Sequence, residues 1–509
     1  MTSSPELARA VAATLARHVT DVVICPGSRN SPLSLELIAR DDIRVHTRID
    51  ERSAAFLALG LARSSKRHVA VVTTSGTAVA NCAPAMVEAA YSHTPLIMVS
   101  ADRPERLHGT GANQTIEQRG IFNVVDTDHV VDVADLNSIS FARNVIHINV
   151  ALDVPLVDVL PEVGDPVECV REVIEVDHGE VVLNLNQRIL VVAGDEAWEV
   201  PGLEDVPTIA EPSAPAPYHP VHPLAAQIFA HKEIKPEHIV VVGHPTLHRA
   251  VLSLLADVPV TVLTKTDTIT GNPQAVGSRV KVTGELDKRW LQICEDASTL
   301  CADRVKEVLE GHGFTGLHVA AAVADTMAVG DTLFLGASNP VRDASLVGMP
   351  LGGVDIFAAR GAAGIDGTVS QAVGVALDVQ HRDATAIRAD RTVALMGDVT
   401  FLHDVGGLLG ARPENLTIVV ANDDGCGIFE TLEIGAPEFR PSFEQAFGTP
   451  HGVHIEAIAQ AYGVNYLRAE TLPELIEALI DTTDSAGFNI IEAVTTRSTR
   501  RDIDKALTL

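Results

Sequence analysis

MGDVTFLHDVGGLLGARPENLTIVVANDDGCGIFE, residues 396–430, opens at the end of one apolar run and closes at the end of another. Both runs are short, rich in β-branched residues and bounded by turn residues, which predicts two strands with a helix between them. In a parallel sheet the carboxyl ends of neighbouring strands face one crevice, so Asp398 and Asp423, 25 positions apart, can converge there. Two carboxylates with nearby backbone carbonyls make a hard oxygen site of the kind magnesium prefers, usually with phosphate oxygens among its ligands. Asp, Asn and Gly are also ordinary choices for strand-end turns, and on this pair alone that reading stands beside the first.

The same rhythm runs through the chain. VVICPG, HVAVVTTSG and PLIMVSAD alternate with ARAVAATLARH and AVANCAPAMVEAAYS in the first 150 residues. DTLFLGAS, RTVALMGD and LTIVVAND alternate with SQAVGVALDV and LHDVGGLLGA in the last third. Matching turns, Gly27 with Gly336 and Gly76 with Gly397, lie at similar offsets of 309 and 321 positions, as a duplicated unit would place them. A different region with RILVVAG, HIVVVGH and PVTVLT lies between. It contains EPSAPAPYHPVHP, whose five prolines predict an irregular, exposed loop. The fold class expected is α/β, with three domains at 1–184, 185–311 and 312–509, each a mostly parallel sheet covered by helices.

Composition narrows the function. A chain of 509 residues is long enough for several cores, and 46% hydrophobic with only 4% aromatic suits Val, Leu, Ile and Ala packed in parallel sheets. A net charge of -29 argues against nucleic-acid partners and anionic membranes, which reward clustered Lys and Arg. Six scattered cysteines without a CxxC pair, an amino terminus lacking an apolar core, and no membrane-length apolar run point to a cytoplasmic protein with reduced thiols. Stable membrane insertion is not expected.

In IDERSAAF, residues 49–56, Asp50, Glu51 and Arg52 stand at the entrance to an otherwise apolar helix. Acids there are ordinary helix-start chemistry. Gly397-Asp398 followed by Asn422-Asp423, however, resembles the thiamin diphosphate motif, Gly-Asp-Gly with Asn-Asn some two dozen residues later. Val399 replaces the motif's second glycine, and Asp423 stands where many members have asparagine; neither change removes an oxygen ligand. The resemblance implies related first and third domains, one binding the pyrimidine and the other the diphosphate of the cofactor. It also implies that Asp398, Asp423 and Gly425 hold magnesium, with manganese as an alternative. Gly397, Val399 and Thr400 would then line the diphosphate, and Ser338, Gly364, Ile365, Ile428 and Phe429 the rings, with Ile365 bending the cofactor. Glu51 falls where such enzymes place the glutamate that shares a proton with N1′ of the aminopyrimidine, a desolvated acid with a raised pKa.

CPGSRNSPL, SGTAVAN, ADRPERLHGTGANQTIEQRGIF, SNPVRDAS and ARGAAGIDG resemble, more narrowly, the 2-succinyl-5-enolpyruvyl-6-hydroxy-3-cyclohexene-1-carboxylate synthases of menaquinone biosynthesis. Such enzymes decarboxylate 2-oxoglutarate and add the four-carbon fragment to isochorismate. Both substrates are dicarboxylates, and arginine forks bind carboxylates in pairs. Arg29, Arg103, Arg342 and Arg360 are expected at strand-end turns facing the crevice. By the resemblance, Ser28, Asn113 and Ser338 join them in binding substrate, and Gln114 orders water or relays a proton. VGHPTLHRAV contributes Arg249, with the mostly neutral His248 in place of an expected lysine. A homodimer or homotetramer is implied, because Glu51 and Asp398 meet across subunits in that superfamily. An acetohydroxyacid synthase, a 2-oxoacid decarboxylase or a non-catalytic cofactor-binding regulator remains an alternative.

Overall fold

The computed structural model describes residues 2–161, 164–172, 174–383, 389–484 and 487–509. Chain contacts divide it into two units: residues 1–174, 359–389 and 402–413 in the first, and 175–358, 390–401 and 414–509 in the second.

Unit 1 holds a six-stranded sheet of β1 (Asp21–Ile24), β2 (Arg44–Thr47), β3 (Val69–Thr73), β4 (Leu96–Asp102), β5 (Thr127–Val130) and β6 (Val145–Ala151). Their spatial order is β2-β1-β3-β4-β6-β5, and every pairing is parallel. β1, β3 and β4 are buried along their whole length, which is why they read as continuous apolar runs rather than alternating ones.

Unit 2 contains β7 (Glu180–Asn184), β8 (Ile189–Ala193), β9 (Thr208–Ala210), β10 (His238–Val242), β11 (Val260–Leu263), β12 (Ala275–Gly277) and β13 (Arg279–Thr283). Five of these form a parallel sheet, β12-β11-β10-β8-β9, and β13 pairs with β7. The third sheet is built from β14 (Thr332–Leu335), β15 (Asp355–Ala358), β16 (Thr392–Gly397), β17 (Asn415–Asn422), β18 (Asn465–Ala469) and β19 (Gly487–Val494). Its order, β15-β14-β16-β17-β19-β18, is the order of the first sheet strand for strand. The duplication read from the turns is therefore a duplication of topology, and the α/β architecture of three larger parallel sheets, beside the small β13–β7 pair, is as expected. In each copy the chain reverses direction across the sheet after the first strand, so a crevice opens at the carboxyl ends of β1 and β3, and again at those of β14 and β16.

Several local expectations need correction. The helix after Gly397 is one short turn-and-a-half, Asp398–His403, followed by a 3-10 segment, Val405–Leu408. The proline-rich loop is irregular as expected, but its two ends are buried and only its middle, with Tyr218, faces solvent. Glu211 explains this: its carboxylate accepts hydrogen bonds from the backbone N–H groups of Thr246 and Leu247 at 2.5 and 2.6 Å, and satisfied charge tolerates burial. The six cysteines are free, four of them buried. No described helix is long and apolar enough to cross a membrane.

In unit 1 the helix Glu51–Ser65 packs on the helix Thr368–Arg382, and both are buried nearly all round. Gly60 and Gly374 form the crossing. A Cβ at Gly60 would lie 2.2 Å from the Gln371 carbonyl oxygen, and one at Gly374 would lie 2.4 Å from that of Leu57. The obstacle is backbone, which cannot rotate away. Gly60→Ala, favoured by helix propensity by about 1 kcal/mol, is therefore expected to destabilise unit 1 by about 2 kcal/mol through overpacking, measurable as a lower denaturation midpoint.

Candidate active site

In unit 1 the neighbouring strands β1, β3 and β4 deliver their carboxyl ends side by side. The turn after β1 carries exposed Ser28 and buried Arg29, whose Nη1 donates to the Leu152 carbonyl at 2.8 Å. Arg103 directly follows β4, and its buried Nε has no hydrogen-bond partner among the described residues. Burial, and then the positive charge of Arg103, lower the Arg29 pKa, so two guanidinium groups share one neighbourhood. Such a pair favours an anion between or beside them.

The loop after Arg103 bears exposed Asn113 and Gln114. Gln114 sits at φ +57°, its Nε2 donating to the Ser75 carbonyl (2.9 Å) while the Ser75 hydroxyl donates to its own carbonyl (2.8 Å). Beneath this clamp Gln118 is fully buried. Its Oε1 accepts from the Gly76 N–H at 2.9 Å, its Nε2 donates to Asn149 Oδ1 at 2.8 Å, and Asn149 Nδ2 donates to Asp102 Oδ2 at 2.7 Å. A buried amide network thus joins the β3 and β4 ends to the loop.

The helix entrance at Ile49–Phe56 resolves into two roles on adjacent residues. Asp50 is the cap, its Oδ1 accepting from the N–H groups of Arg52 (2.9 Å) and Ser53 (3.2 Å). Glu51 is the first helical residue, half-buried, and among the described residues nothing hydrogen-bonds its carboxylate. Arg52 Nη2 donates to the His403 carbonyl at 2.9 Å, and the Ser53 hydroxyl donates to Asp404 Oδ1 at 3.1 Å. Buried Asp404 also accepts from the Ser370 N–H at 2.7 Å, so the Glu51 turn is fixed to the neighbouring helix.

Arg360, Gly364 and Ile365 lie on one loop of unit 1, with Arg360 buried and the other two half-buried. The loop wraps the Glu88 carboxylate, which accepts from the backbone N–H groups of Gly361 (2.9 Å), Ala362 (2.7 Å) and Ala363 (3.1 Å) and pairs with Arg63 at 3.1 Å. Consecutive N–H groups around one anion form a nest, filled here by an internal side chain.

Unit 2 uses the equivalent strands. Ser338 follows β14 at φ +76°, a conformation rarely held by a residue with a side chain, and its carbonyl accepts from Arg342 Nη1 at 2.6 Å. Arg342 stands inside the helix Asn339–Leu346 rather than on the turn expected for it, because that helix starts immediately after Ser338. Arg249 is exposed at the first position of the helix Arg249–Asp257. The preceding His248 bonds Ser345 Oγ at 2.8 Å, and burial, then the charge of Arg342, push its pKa down to about 3, so it is neutral.

β16 and β17 pair in register, Gly397 opposite Ala421, which sets Asp398 and Asp423 at adjacent strand ends. Asp398 is buried; its Oδ1 accepts from the Val399 N–H (2.7 Å) and its Oδ2 from the Gly425 N–H (2.8 Å). Burial, then the negative charge of Asp398, push the Asp423 pKa up to about 8, against the opposing pull of Arg497 and Arg500. Two close carboxylates with too little positive charge are the electrostatic signature of a cation site. After Asp423, Gly425 (φ +142°) is sterically required, since a Cβ there would lie 2.0 Å from the Gly448 carbonyl oxygen, and a Cβ on Gly427 would lie 2.2 Å from Asp423 Oδ2 and push that carboxylate aside. Among the described residues no three His, Cys, Asp or Glu side chains group to hold a metal. The donor set fits magnesium, which takes one or two carboxylates and completes its octahedron with phosphate and water. Beside Gly397 the space is open, Thr400 is buried, and Val399, Ile428 and Phe429 are half-buried. Phe429 meets Phe447 edge-on at 5.6 Å between ring centroids.

Three supporting residues escaped sequence reasoning: Glu88, Gln118 and His451, whose Nε2 lies 3.0 Å from Asp398 Oδ2. Only Glu88 had a signal, an acid in the otherwise apolar AMVEAAY helix.

The description "Thiamine pyrophosphate enzyme, N-terminal TPP binding domain" matches residues 5–121, and "Thiamine pyrophosphate enzyme, C-terminal TPP binding domain" matches residues 355–493. Over 509 residues the chain is 99% identical to a 2-succinyl-5-enolpyruvyl-6-hydroxy-3-cyclohexene-1-carboxylate synthase of Corynebacterium diphtheriae, with all of both chains covered. Synthases of the same name from Corynebacterium glutamicum and Rhodococcus opacus are 58% and 43% identical, each alignment covering 100% of this chain and 99% of the relative.

Glu88→Ala would leave three N–H groups and Arg63 without their anion. It is expected to destabilise unit 1 by about 3 kcal/mol, read from chemical denaturation, with Glu88→Gln recovering part of the loss because one acceptor oxygen remains.

Proposed function

The chain belongs to the 2-succinyl-5-enolpyruvyl-6-hydroxy-3-cyclohexene-1-carboxylate synthases, thiamin diphosphate-dependent enzymes that form carbon–carbon bonds, and on that premise we propose that it decarboxylates 2-oxoglutarate and adds the four-carbon fragment to isochorismate in menaquinone biosynthesis. The observation that carries this reading is the carboxylate pair at the ends of β16 and β17, with Asp423 pushed up to about 8 by burial and by Asp398.

The Asp398 and Asp423 carboxylates and the Gly425 carbonyl would hold magnesium, or manganese in its place, and through it a diphosphate. Gly397, Val399 and Thr400 would line the diphosphate, and Ser338, Gly364, Ile365, Ile428 and Phe429 the rings. Bound there, thiamin diphosphate supplies the electron sink that takes the pair released with carbon dioxide. Glu51 would hold the proton shared with the aminopyrimidine N1′; a carboxylate that nothing hydrogen-bonds among the described residues suits that task. Arg29, Arg103, Arg249, Arg342 and Arg360 would orient the substrate carboxylates, with Ser28 and Asn113 adding hydrogen bonds. The orphaned Nε of Arg103 supports this, since a buried donor without a partner favours an incoming anion. Gln114, clamped to Ser75, would order water or relay a proton.

A homodimer, or a homotetramer built on it, is the proposed working unit, because thiamin diphosphate enzymes bring the glutamate and the metal ligands together across subunits. The proposed location is the cytoplasm, in keeping with free cysteines that form no CxxC pair.

Supplying 2-oxoglutarate, isochorismate, magnesium and thiamin diphosphate should yield the coupled product by mass spectrometry. Carbon dioxide without that product, or turnover of pyruvate without isochorismate, would instead indicate another thiamin diphosphate activity. Glu51→Gln is expected to lower turnover at least about 100-fold while the cofactor still binds, as followed by circular dichroism; undiminished turnover would remove Glu51 from the mechanism.

A further inference from the structure

The loop after Gly448 is folded tightly against the ends of β16 and β17. Asp424, at φ +55°, accepts on its Oδ1 from the backbone N–H groups of His451 (3.0 Å) and Gly452 (2.9 Å). The Val453 N–H donates to His451 Nδ1 at 3.0 Å. An Nδ1 that accepts leaves the ring proton of a neutral imidazole on Nε2, and Nε2 lies 3.0 Å from Asp398 Oδ2. The contact is well shielded, with side-chain exposures of 14% for His451 and 3% for Asp398.

Counting acceptor sites gives this contact a consequence. A carboxylate offers about four lone-pair directions, two on each oxygen. Among the described residues, Asp398 Oδ2 receives both the Gly425 N–H and His451, whereas Oδ1 receives only the Val399 N–H. One direction, on Oδ1, remains for a cation.

We propose that His451 is a positioning residue for the metal ligand Asp398: its Nε2–H occupies Oδ2 and presents Oδ1 as the single coordinating oxygen, while Asp424 fixes the His451 backbone. The inference rests on the reading of Asp398 as a magnesium ligand. Groups that hold a ligand in this way typically contribute 10- to 100-fold to metal affinity. His451 therefore sets how readily the site takes up magnesium without touching cofactor or substrate.

The test uses the full-length protein with saturating thiamin diphosphate, titrated with magnesium and followed by the circular dichroism of bound cofactor. His451→Phe keeps the ring volume and lacks the donor; His451→Ala removes both. Each is expected to raise the magnesium concentration at half-saturation by about 10- to 100-fold, with the signal restored at high magnesium. His451→Gln, whose amide can donate from a position close to Nε2, is expected to recover most of that loss. A merely structural role would lower thermal stability in all three variants and leave the magnesium midpoint in place, which would overturn the proposal. A tighter midpoint in His451→Ala would also overturn it, since it would make the imidazole a competitor of the cation. Asp398→Asn identifies the premise: if it takes up magnesium like the unaltered protein, the ligand assignment itself fails; if it does not and His451→Phe does, only the role of His451 fails.

Discussion

Parallel pairing of β16 with β17 places two carboxylates where their repulsion is least screened. Asp398 is buried, and burial of Asp423, then the charge of Asp398 beside it, displaces the Asp423 pKa to about 8. The protein answers with hydrogen bonds from Val399, Gly425 and His451 to Asp398 and with the opposing charges of Arg497 and Arg500 on Asp423. These hold the pair in place without cancelling its charge. The negative charge that remains favours a divalent cation, which supports reading the strand ends as a binding site rather than as two polar turns.

The same topology occurs twice with opposite electrostatics. In the first sheet the ends of β1, β3 and β4 carry Arg29, the Ser75-Gly76 turn and Arg103; in the third, the ends of β14, β16 and β17 carry Ser338, Asp398 and Asp423. An identical strand order fixes where a crevice opens, and side chains at the turns choose what it attracts. The overall charge of -29 does not prevent the arginines of the first sheet from attracting an anion, because charge beyond about 8 Å is largely screened at physiological salt.

Unit 1 contains a set of buried polar groups with no direct chemical task. Glu88 fills the nest of the Arg360–Ile365 loop, Gln118 ties the Gln114 loop to β3 and β4, and Asp404 pins the turn bearing Glu51. Each is held by backbone, amide, hydroxyl or guanidinium partners, the condition under which burial of polar groups rigidifies rather than destabilises. Loops that carry functional groups need such anchoring, since they have few apolar contacts of their own.

Much of the architecture was legible in the chain. Continuous apolar runs marked the strands, small residues marked the turns, and the spacing of Asp398 and Asp423 together with Glu51 at a helix start pointed to the cofactor class. Those signals are local, because burial on both faces of a strand and a strand-end turn each dictate residue type within a few positions. The assignment of capping to Asp50 and not Glu51 was open in the sequence, since either acid suits a helix start; the backbone angles of the turn settled it. Arg342 on a helix, the buried ends of the proline-rich segment, and the contacts of Glu88, Gln118 and His451 were not legible. Arg342 follows from a helix that starts directly after Ser338, whereas the others depend on partners up to 275 positions away, as Glu211 depends on Thr246 and Ala363 on Glu88, and no local pattern encodes which distant backbone a side chain will meet. Sequence alone determined the element types, the duplicated order and the chemistry on offer; only the tertiary structure decided which polar groups face one another, because that follows from how the sheets and loops pack.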